Sequence, residues 1–420
     1  MKRLVVNRLL IGGIVLAGVV ALGACTASGP GPVPSDGPAT PSDVNLHPSV
    51  PEGAWLAPGY AAGFSEPITI EGKLCGASAD GAVVVQAQGG DGEPDSTNGW
   101  DARTGEQRWA LPARGCTGVP DSDEVLTRPL GDESGTGVVE RRAAATGALL
   151  SSWPMPDATL SPYIAEVDAD VAVVIARPAQ TDDDSPATQI TFADTTSGDV
   201  LWKYAPSEGF SNVFCSVQGI APFAWCQTTD PGSQNGWSEI RSLRNGTPLT
   251  EHLPLDTEAS FLTDGFATVG KAGGSARLVG IDGDDIGAAP AGLPQLLLPG
   301  TARLPLEDAS AWSGVVATDE NGRPVVVREG SSLSWVSGHE IAESPVAISG
   351  SGKTLALFTS DAAGRTDRIS LTDSKGEAAD EVTTAHLNTS QVQVEHGLLV
   401  VHGLVPDGDG YRTIVIPPAS

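Results

Sequence analysis

A ten-residue signature recurs along this chain at a near-constant interval. Its fullest copy is Trp100-Asp101-Ala102-Arg103-Thr104-Gly105-Glu106-Gln107-Arg108-Trp109, and the next is Asp194-Thr195-Thr196-Ser197-Gly198-Asp199-Val200-Leu201-Trp202. Weaker copies are Ala145-Thr146-Gly147 with Trp153, Arg244-Asn245-Gly246, Ile281-Asp282-Gly283, Arg328-Glu329-Gly330 with Trp335, and Asp373-Ser374-Lys375-Gly376. The seven glycines are 42, 51, 48, 37, 47 and 46 residues apart. A unit of that length is too short to be a domain, but it holds about four strands of five or six residues with their turns. Between the signatures, short apolar runs such as Ala82-Val83-Val84-Val85, Val171 to Ile175, Pro324 to Val327 and Leu398 to Val401 alternate with Gly, Asp, Asn and Ser clusters, the pattern of an all-β chain. A chain of 420 residues would otherwise divide into separate cores. Here a repeat takes their place.

The residue chemistry explains why the signature repeats. A tight turn between the third and fourth strands of a unit needs a positive φ, which Gly supplies without strain. The Asp, Thr, Ser or Asn before it bonds the local backbone. A Trp on the outermost strand lies against the neighbouring unit and buries a large apolar face. A four-stranded sheet cannot cover both its faces alone, so neighbours must cover them. These are the size and logic of a β-propeller blade. The expectation is an all-β propeller of four-stranded antiparallel blades over residues 59–420, with Trp109, Trp153, Trp202 and Trp335 packing between blades. Seven turns are visible, followed by Gln391 to Val394, Leu398 to His402 and Tyr411 to Ile416, which read as three strands of an eighth blade. Its fourth strand would come from the N-terminal side, near Phe64 to Ile70. Seven blades with one irregular insertion is the alternative.

The Asp-x-x-Thr-Gly-x-x-x-Trp pattern resembles that of pyrroloquinoline-quinone-type β-propeller repeats, over about residues 65–417. The copies at 101–109 and 194–202 carry the resemblance; those after residue 240 have lost the Thr, and most have lost the Trp. The resemblance implies the blade, not the cofactor. In the quinoprotein dehydrogenases the quinone lies over the axial channel beside calcium, a catalytic Asp and a disulfide of adjacent cysteines. This chain has no adjacent cysteine pair, and none of its residues maps onto a cofactor ligand. No cofactor, no metal and no catalytic residue is therefore assigned.

The N-terminus reads as an address. Lys2, Arg3 and Arg8 precede an apolar and glycine run from Leu9 to Leu22, which as a helix reaches about 21 Å, short of a membrane span of about 30 Å. Leu22-Gly23-Ala24-Cys25 resembles a bacterial lipobox, so residues 1–24 are expected to be a lipoprotein signal peptide and Cys25 to be diacylated, palmitate included; an ordinary signal peptide or a signal anchor is the other reading. Residues 25–58 are rich in Pro, Gly and Ser, a composition that favours an extended tether.

Four cysteines remain: Cys75, Cys116, Cys215 and Cys226. An even number outside the cytoplasm invites pairing, and of three connectivities Cys75–Cys116 with Cys215–Cys226 is favoured, free thiols being the alternative. No C-x-x-C occurs, so neither a redox dithiol nor a zinc knuckle is supported.

Other candidate motifs have plainer readings. Ala347 to Thr354 is a relaxed phosphate-loop pattern, but a strand-like run, Leu355 to Thr359, follows where a helix is needed, so a Gly/Ser hairpin turn is expected. The acidic clusters Asp91-x-Glu93-x-Asp95, Asp182 to Asp184, Asp282 to Asp285 and Asp407-Gly408-Asp409 read as turns that lack the full calcium-loop spacing. His47, His252, His339, His386, His396 and His402 form no H-e-x-x-h pattern, and no G-x-S-x-G elbow is present. Trp225 and Trp237 are the least explained aromatics.

The formal charge of −28 argues against nucleic acid and against an anionic membrane surface. The functional expectation is a lipid-anchored module at the cell membrane, facing outside the cytoplasm. It would bind a protein or cell-envelope ligand without catalysis, through loops on a rigid ring and the mouth of its channel. The alternative is an extracytoplasmic propeller enzyme, either a quinone-dependent oxidoreductase or a glycosidase or lyase.

Overall fold

The computed structural model describes residues 55–89, 95–120, 122–129, 137–154, 163–167, 171–176, 189–205, 212–217, 223–229, 235–255, 257–262, 264–270, 277–288, 315–319, 323–329, 332–361, 363, 365–406, 408 and 410–419. All the described elements are strands except one 3-10 turn, Pro58–Ala62. None of the described helical segments is long and apolar enough to cross a membrane.

The strands pair in chain order into antiparallel sheets. After β1 (Ile68–Glu71), the first blade comprises β2 (Lys73–Ala77), β3 (Ala82–Ala87), β4 (Ser96–Asp101) and the first half of β5 (Gln107–Gly118). The second half of β5 opens the second blade, with β6 (Glu124–Pro129), β7 (Val138–Ala143) and β8 (Leu149–Pro154), so the two blades share one seven-stranded sheet. The third is β9 (Tyr163–Val167), β10 (Val171–Ala176), β11 (Gln189–Asp194) and β12 (Val200–Tyr204). The fourth is β13 (Asn212–Val217), β14 (Phe223–Thr229) and β15 (Gly236–Ser242), completed on its outer side by bridges from Pro248 to Arg241 and from Leu253 to Ser238.

The fifth comprises β16 (Thr257–Phe261), β17 (Gly265–Gly270), β18 (Arg277–Gly280) and β19 (Asp285–Ala288). The sixth comprises β20 (Val315–Thr318), β21 (Pro324–Glu329), β22 (Ser332–Trp335) and β23 (Glu340–Ile341), and the seventh β24 (Ser344–Ile348), β25 (Thr354–Asp361), β26 (Thr366–Asp373) and β27 (Ala378–Ala385). Last come β28 (Asn388–Glu395), β29 (Leu398–Leu404) and β30 (Tyr411–Ile416), whose sheet takes β1 as its fourth strand. The first and last described strands are thus joined in one sheet, as expected for the stretch Phe64 to Ile70, which pairs the edge that an unclosed last sheet would leave open. This is the strand order of a β-propeller.

The core lies between sheets rather than inside any one. Val84 of the first blade packs with Val125 and Ala144 of the second. Val139 and Trp153 of the second meet Ala172 and Ala193 of the third. Phe192 and Trp202 of the third meet Cys215, Cys226 and Leu243 of the fourth. Phe223 of the fourth meets Phe266 of the fifth edge to face, and Val85 of the first meets Val400 and Val415 of the closing blade. Each sheet therefore depends on its neighbours for burial, which is the physical basis of a repeat fold.

The third-to-fourth-strand turns centre on Gly105, Gly147, Gly198, Gly246, Gly283, Gly338 and Gly376, all with positive φ between 68° and 93°. Six of these match the sequence reading; the seventh does not. Gly330 lies outside the described residues, and the sixth blade turns at Gly338, where the Gly338 N–H donates to Trp335 O. Trp335 therefore ends the third strand instead of lying on the fourth, though it is buried in a cluster that includes Ile348 and Leu355 of the next blade. Gly330 and Gly338 lie eight residues apart in the sequence, and the pattern alone does not say which of them joins strands three and four.

Candidate functional site

Connectors alternate between the two ends of each antiparallel sheet. Those joining strands one to two and three to four have at most five residues, as in 78–81, 102–106, 349–353 and 396–397. Those on the other side vary widely, from the single Gly72 and the pairs 342–343 and 386–387 to 177–188 and 289–314.

The short-turn face is tied together by its own polar groups. In the first blade the Asp101 carboxylate accepts the N–H groups of Arg103 (2.8 Å) and Thr104 (3.0 Å), and Arg108 bridges it (2.7 Å) to Asp80 (2.9 Å) of the neighbouring hairpin. The bond from Arg108, helped by the two backbone N–H groups, holds the Asp101 carboxyl down to about 2. Asp80 is held below the usual carboxylate range by the Ser78 hydroxyl and by Arg108. Asp194 and Asp373 fasten their turns in the same way. The second and fourth blades lack that Asp and use a cation instead. Arg142 donates to Gly147 O (2.6 Å) and Arg241 to Gly246 O (2.7 Å), each held by a Glu two residues earlier, Glu140 and Glu239.

Near the axis on this face, three first-hairpin turns converge. The Ala79 N–H donates to Asp123 Oδ1 (2.6 Å), and His396 Nε2 lies 3.3 Å from Ser122 O and 3.8 Å from Asp123 Oδ1. A strap of residues 56–65 runs beside them. Leu56 N–H donates to Ile348 O (3.0 Å), Ala57 N–H to Gly397 O (2.9 Å) and Phe64 N–H to Asp380 (2.7 Å). Among the described residues, Trp55 and Leu56 already contact the body, slightly before residue 59.

One constellation has the residue types of a hydrolase. Asp367, which is buried, lies 2.8 Å from His386 Nδ1, and Ser360 Oγ is 3.1 Å from that same nitrogen and 2.7 Å from Asp367. A nucleophile relay needs Ser and Asp on opposite ring nitrogens. Here both address Nδ1, and Asp367 also accepts the Leu387 N–H (3.1 Å). The cluster therefore pins the end of β27 to the β25–β26 hairpin. Sequence reasoning missed Ser360 and Asp367; their only signal is the cross-strand pairing Ser360↔Asp367, which needs the register.

The remaining expected residues fall as follows. Cys75 is joined to Cys116 (Cα–Cα 5.5 Å), linking the inner strands of the first two blades, and Cys215 is joined to Cys226 (Cα–Cα 4.1 Å) across β13 and β14. Trp109, Trp153 and Trp202 donate their indole N–H to Ala144 O (2.9 Å), Thr195 O (3.1 Å) and Leu243 O (2.7 Å), each in the next blade's turn. In the seventh blade the His339 ring lies against Gly376, where no Trp is present.

Ala347 to Thr354 is a hairpin turn, as expected, with Thr354 N–H bonded to Ser349 Oγ. Asp282 to Asp285 occupy the turn into β19, where Asp285 pairs with Arg277. Trp237 stacks on His252 at 4.3 Å. His402 lies on β29, and His396 in the turn before it. Cys25, His47, Asp91, Glu93, Asp182 to Asp184, Asp407 and Asp409 lie outside the described residues. Among the described residues no three His, Cys, Asp or Glu side chains gather as metal ligands would.

No protein-family model matches this sequence, and no curated protein matches it. Among solved structures, the quinohemoprotein alcohol dehydrogenase from Comamonas testosteroni is similar over 88% of this chain and 80% of its own, at 12% identity and a TM-score of 0.42. A europium-containing methanol dehydrogenase is similar over 84% of this chain and 93% of its own, at 10% identity and a TM-score of 0.40. The β-propeller domain of the Trilobed protease from Pyrococcus furiosus is similar over 84% and 94%, at 11% identity and a TM-score of 0.37. At these values the likenesses transfer no activity, and the propeller assignment rests on the strand order itself.

Proposed function

We propose that this chain is a lipid-anchored, extracytoplasmic β-propeller of eight blades with repeats of the pyrroloquinoline-quinone type, and that it serves as a non-catalytic binding or scaffold module for a protein or cell-envelope ligand. The observation that carries this reading is the use made of the ring's polar side chains. Arg108, Arg142, Arg241, Asp101, Asp194 and the Ser360–Asp367–His386 cluster are spent on fastening turns and hairpins, which yields a rigid platform. The lipobox-like Cys25 and the Pro-rich stretch after it supply the anchor and spacer, and the strap at Leu56 to Phe64 gives that spacer a firm point of attachment. The body would then stand outside the membrane as a recognition surface.

Two measurements test the reading. Titrating the protein with pyrroloquinoline quinone and calcium should leave the quinone spectrum unchanged and an electron-accepting dye unreduced; stoichiometric binding with dye reduction would establish the oxidoreductase alternative. Replacing Cys25 with Ser should move the protein from the membrane fraction to the soluble one. Retention in the membrane would mean that residues 1–24 act as a signal anchor.

A further inference from the structure

Each of five described third-to-fourth-strand turns is followed by a register shift in the ladder. The shifts lie at Gly99/Trp100, Arg141/Arg142, Phe192/Ala193, Leu278/Val279 and Leu371/Thr372. Such a bulge leaves one residue of the fourth strand unpaired and can turn consecutive side chains the same way. In the first blade the extra residue is Arg108, which uses that position to bond Asp80 and Asp101. In the second and third blades the same positions hold Leu149-Leu150 and Val200-Leu201, exposed to 52%, 51%, 43% and 38%. Four large apolar side chains thus stand outward on adjacent blades where a polar residue would serve the fold equally well.

The edge they flank is unusual in a second way. Soluble proteins protect open strand edges with charge. The fourth strands carry Arg108 in the first blade, Lys203 in the third, Glu251 in the fourth, Asp285 in the fifth, Glu340 in the sixth, Asp380 and Glu381 in the seventh, and Glu71 in the closing blade. Strand β8, Leu-Leu-Ser-Ser-Trp-Pro, carries none, and among the described residues it ends its sheet. Trp153 anchors it from behind to Thr195, so the edge is held in place. The cations beside it, Arg141 and Arg142 of β7, are already paired with Glu124 and Glu140, Asp194 and Asp199 flank the next blade's turn, and the chain's formal charge is −28.

We propose that the open edge of β8, with Leu149 and Leu150 on it and Val200 and Leu201 on the neighbouring blade, is a docking surface for an extended segment of a partner protein in which apolar and basic side chains alternate. Main-chain pairing with β8 would supply affinity. Apolar residues on one face of the added strand would cover the leucines, and the basic residues between them would meet the acidic surroundings. This deepens the binding-module reading and rests on it.

The test uses the full chain carrying Cys25→Ser, so that no detergent is needed, and a short capped peptide of alternating leucine and lysine as the probe. Amide hydrogen exchange should slow at least about tenfold in β8 and not in β12, β19 or β27. The effect should weaken as salt is raised, and a leucine–glutamate peptide should give none. Leu150→Lys lies at the exposed bulge and should abolish the protection while leaving the thermal midpoint unchanged. No slowing, slowing spread over all the edges, or slowing indifferent to Leu150→Lys would overturn the proposal. A concentration-dependent dimer that Leu150→Lys dissociates would also overturn it, by assigning the edge to a second copy. A redox-active quinone complex would instead overturn the scaffold reading without touching β8, so the two failures are distinguishable.

Discussion

Trp153 is held at both ends of its indole. Its N–H donates to Thr195 O, and its ring carbons lie about where a side chain on Gly198 would begin, a Cβ there meeting them at 2.6 Å. Gly198 has φ 75°, so a side chain is opposed by the backbone as well. Gly198→Ala should therefore lower stability by about 2–4 kcal/mol, measured by denaturant unfolding. Combined with Trp153→Ala, the losses should sum to less than the two separate values, because that change removes the Cγ and Cδ2 atoms that the new Cβ would meet; full additivity would show that the contact is not the cause. His402 gives a pH signature. Burial, reinforced by Lys73, lowers its pKa to about 4, so the native state stays unprotonated where the unfolded state binds a proton. Stability should fall as pH drops from about 6.5 to about 4, by on the order of 2–3 kcal/mol. His402→Gln should flatten that window, and an unchanged slope in the variant would exclude His402 as its source. Trp109, Trp153 and Trp202 were legible because each follows its glycine by a few residues. His339 was not, because nothing in an isolated His distinguishes a packing role.

Among the elements, the turns solve one problem in two ways. An Asp at the start of the turn accepts the turn's own N–H groups, or an Arg just before it reaches the glycine carbonyl. The sequence showed the first device and concealed the second, since Glu140-x-Arg142 and Glu239-x-Arg241 look like ordinary surface charge. The disulfides also differ in role. Cys215–Cys226 lies within one ladder, whereas Cys75–Cys116 staples two blades where Gly76 and Gly118 bring their inner strands together, a Cβ on Gly118 meeting Cys75 O at 2.6 Å. The separations are 41 residues for the inter-blade pair and 11 for the other. Replacing both members of the inter-blade pair with Ser should cost about 4 kcal/mol, against about 3 for the other pair. Unfolding of both double variants under oxidising conditions checks the order, and an inverted order would mean that native-state contacts rather than loop closure dominate.

The whole molecule depends on contacts that are remote along the chain. Strand β1 pairs with β30, and the Tyr60 hydroxyl, buried, accepts the Leu399 N–H (2.8 Å) and donates to Ile416 O, 356 residues away in sequence. Tyr60→Phe keeps the ring and strands both backbone groups. It should cost about 1–3 kcal/mol and speed amide exchange at Leu399 by tenfold or more relative to Val326 in the sixth blade. Equal effects at both sites would argue that Tyr60 stabilises the ring generally instead of latching its seam.

Turn chemistry acts over a few residues, so it can be read directly. Positive-φ glycines, capping aspartates, apolar runs of strand length and an even set of cysteines were enough to name a ring of small sheets and to suggest where its ends meet. What only the folded ring decided was which side chains face one another across a seam. The sixth blade's turn at Gly338, His339 against Gly376, Ser360 with Asp367 and His386, and the uncharged open edge of β8 all follow from register and from the neighbouring sheet. Those depend on the simultaneous packing of many distant segments, and no local stretch of residues encodes them by itself.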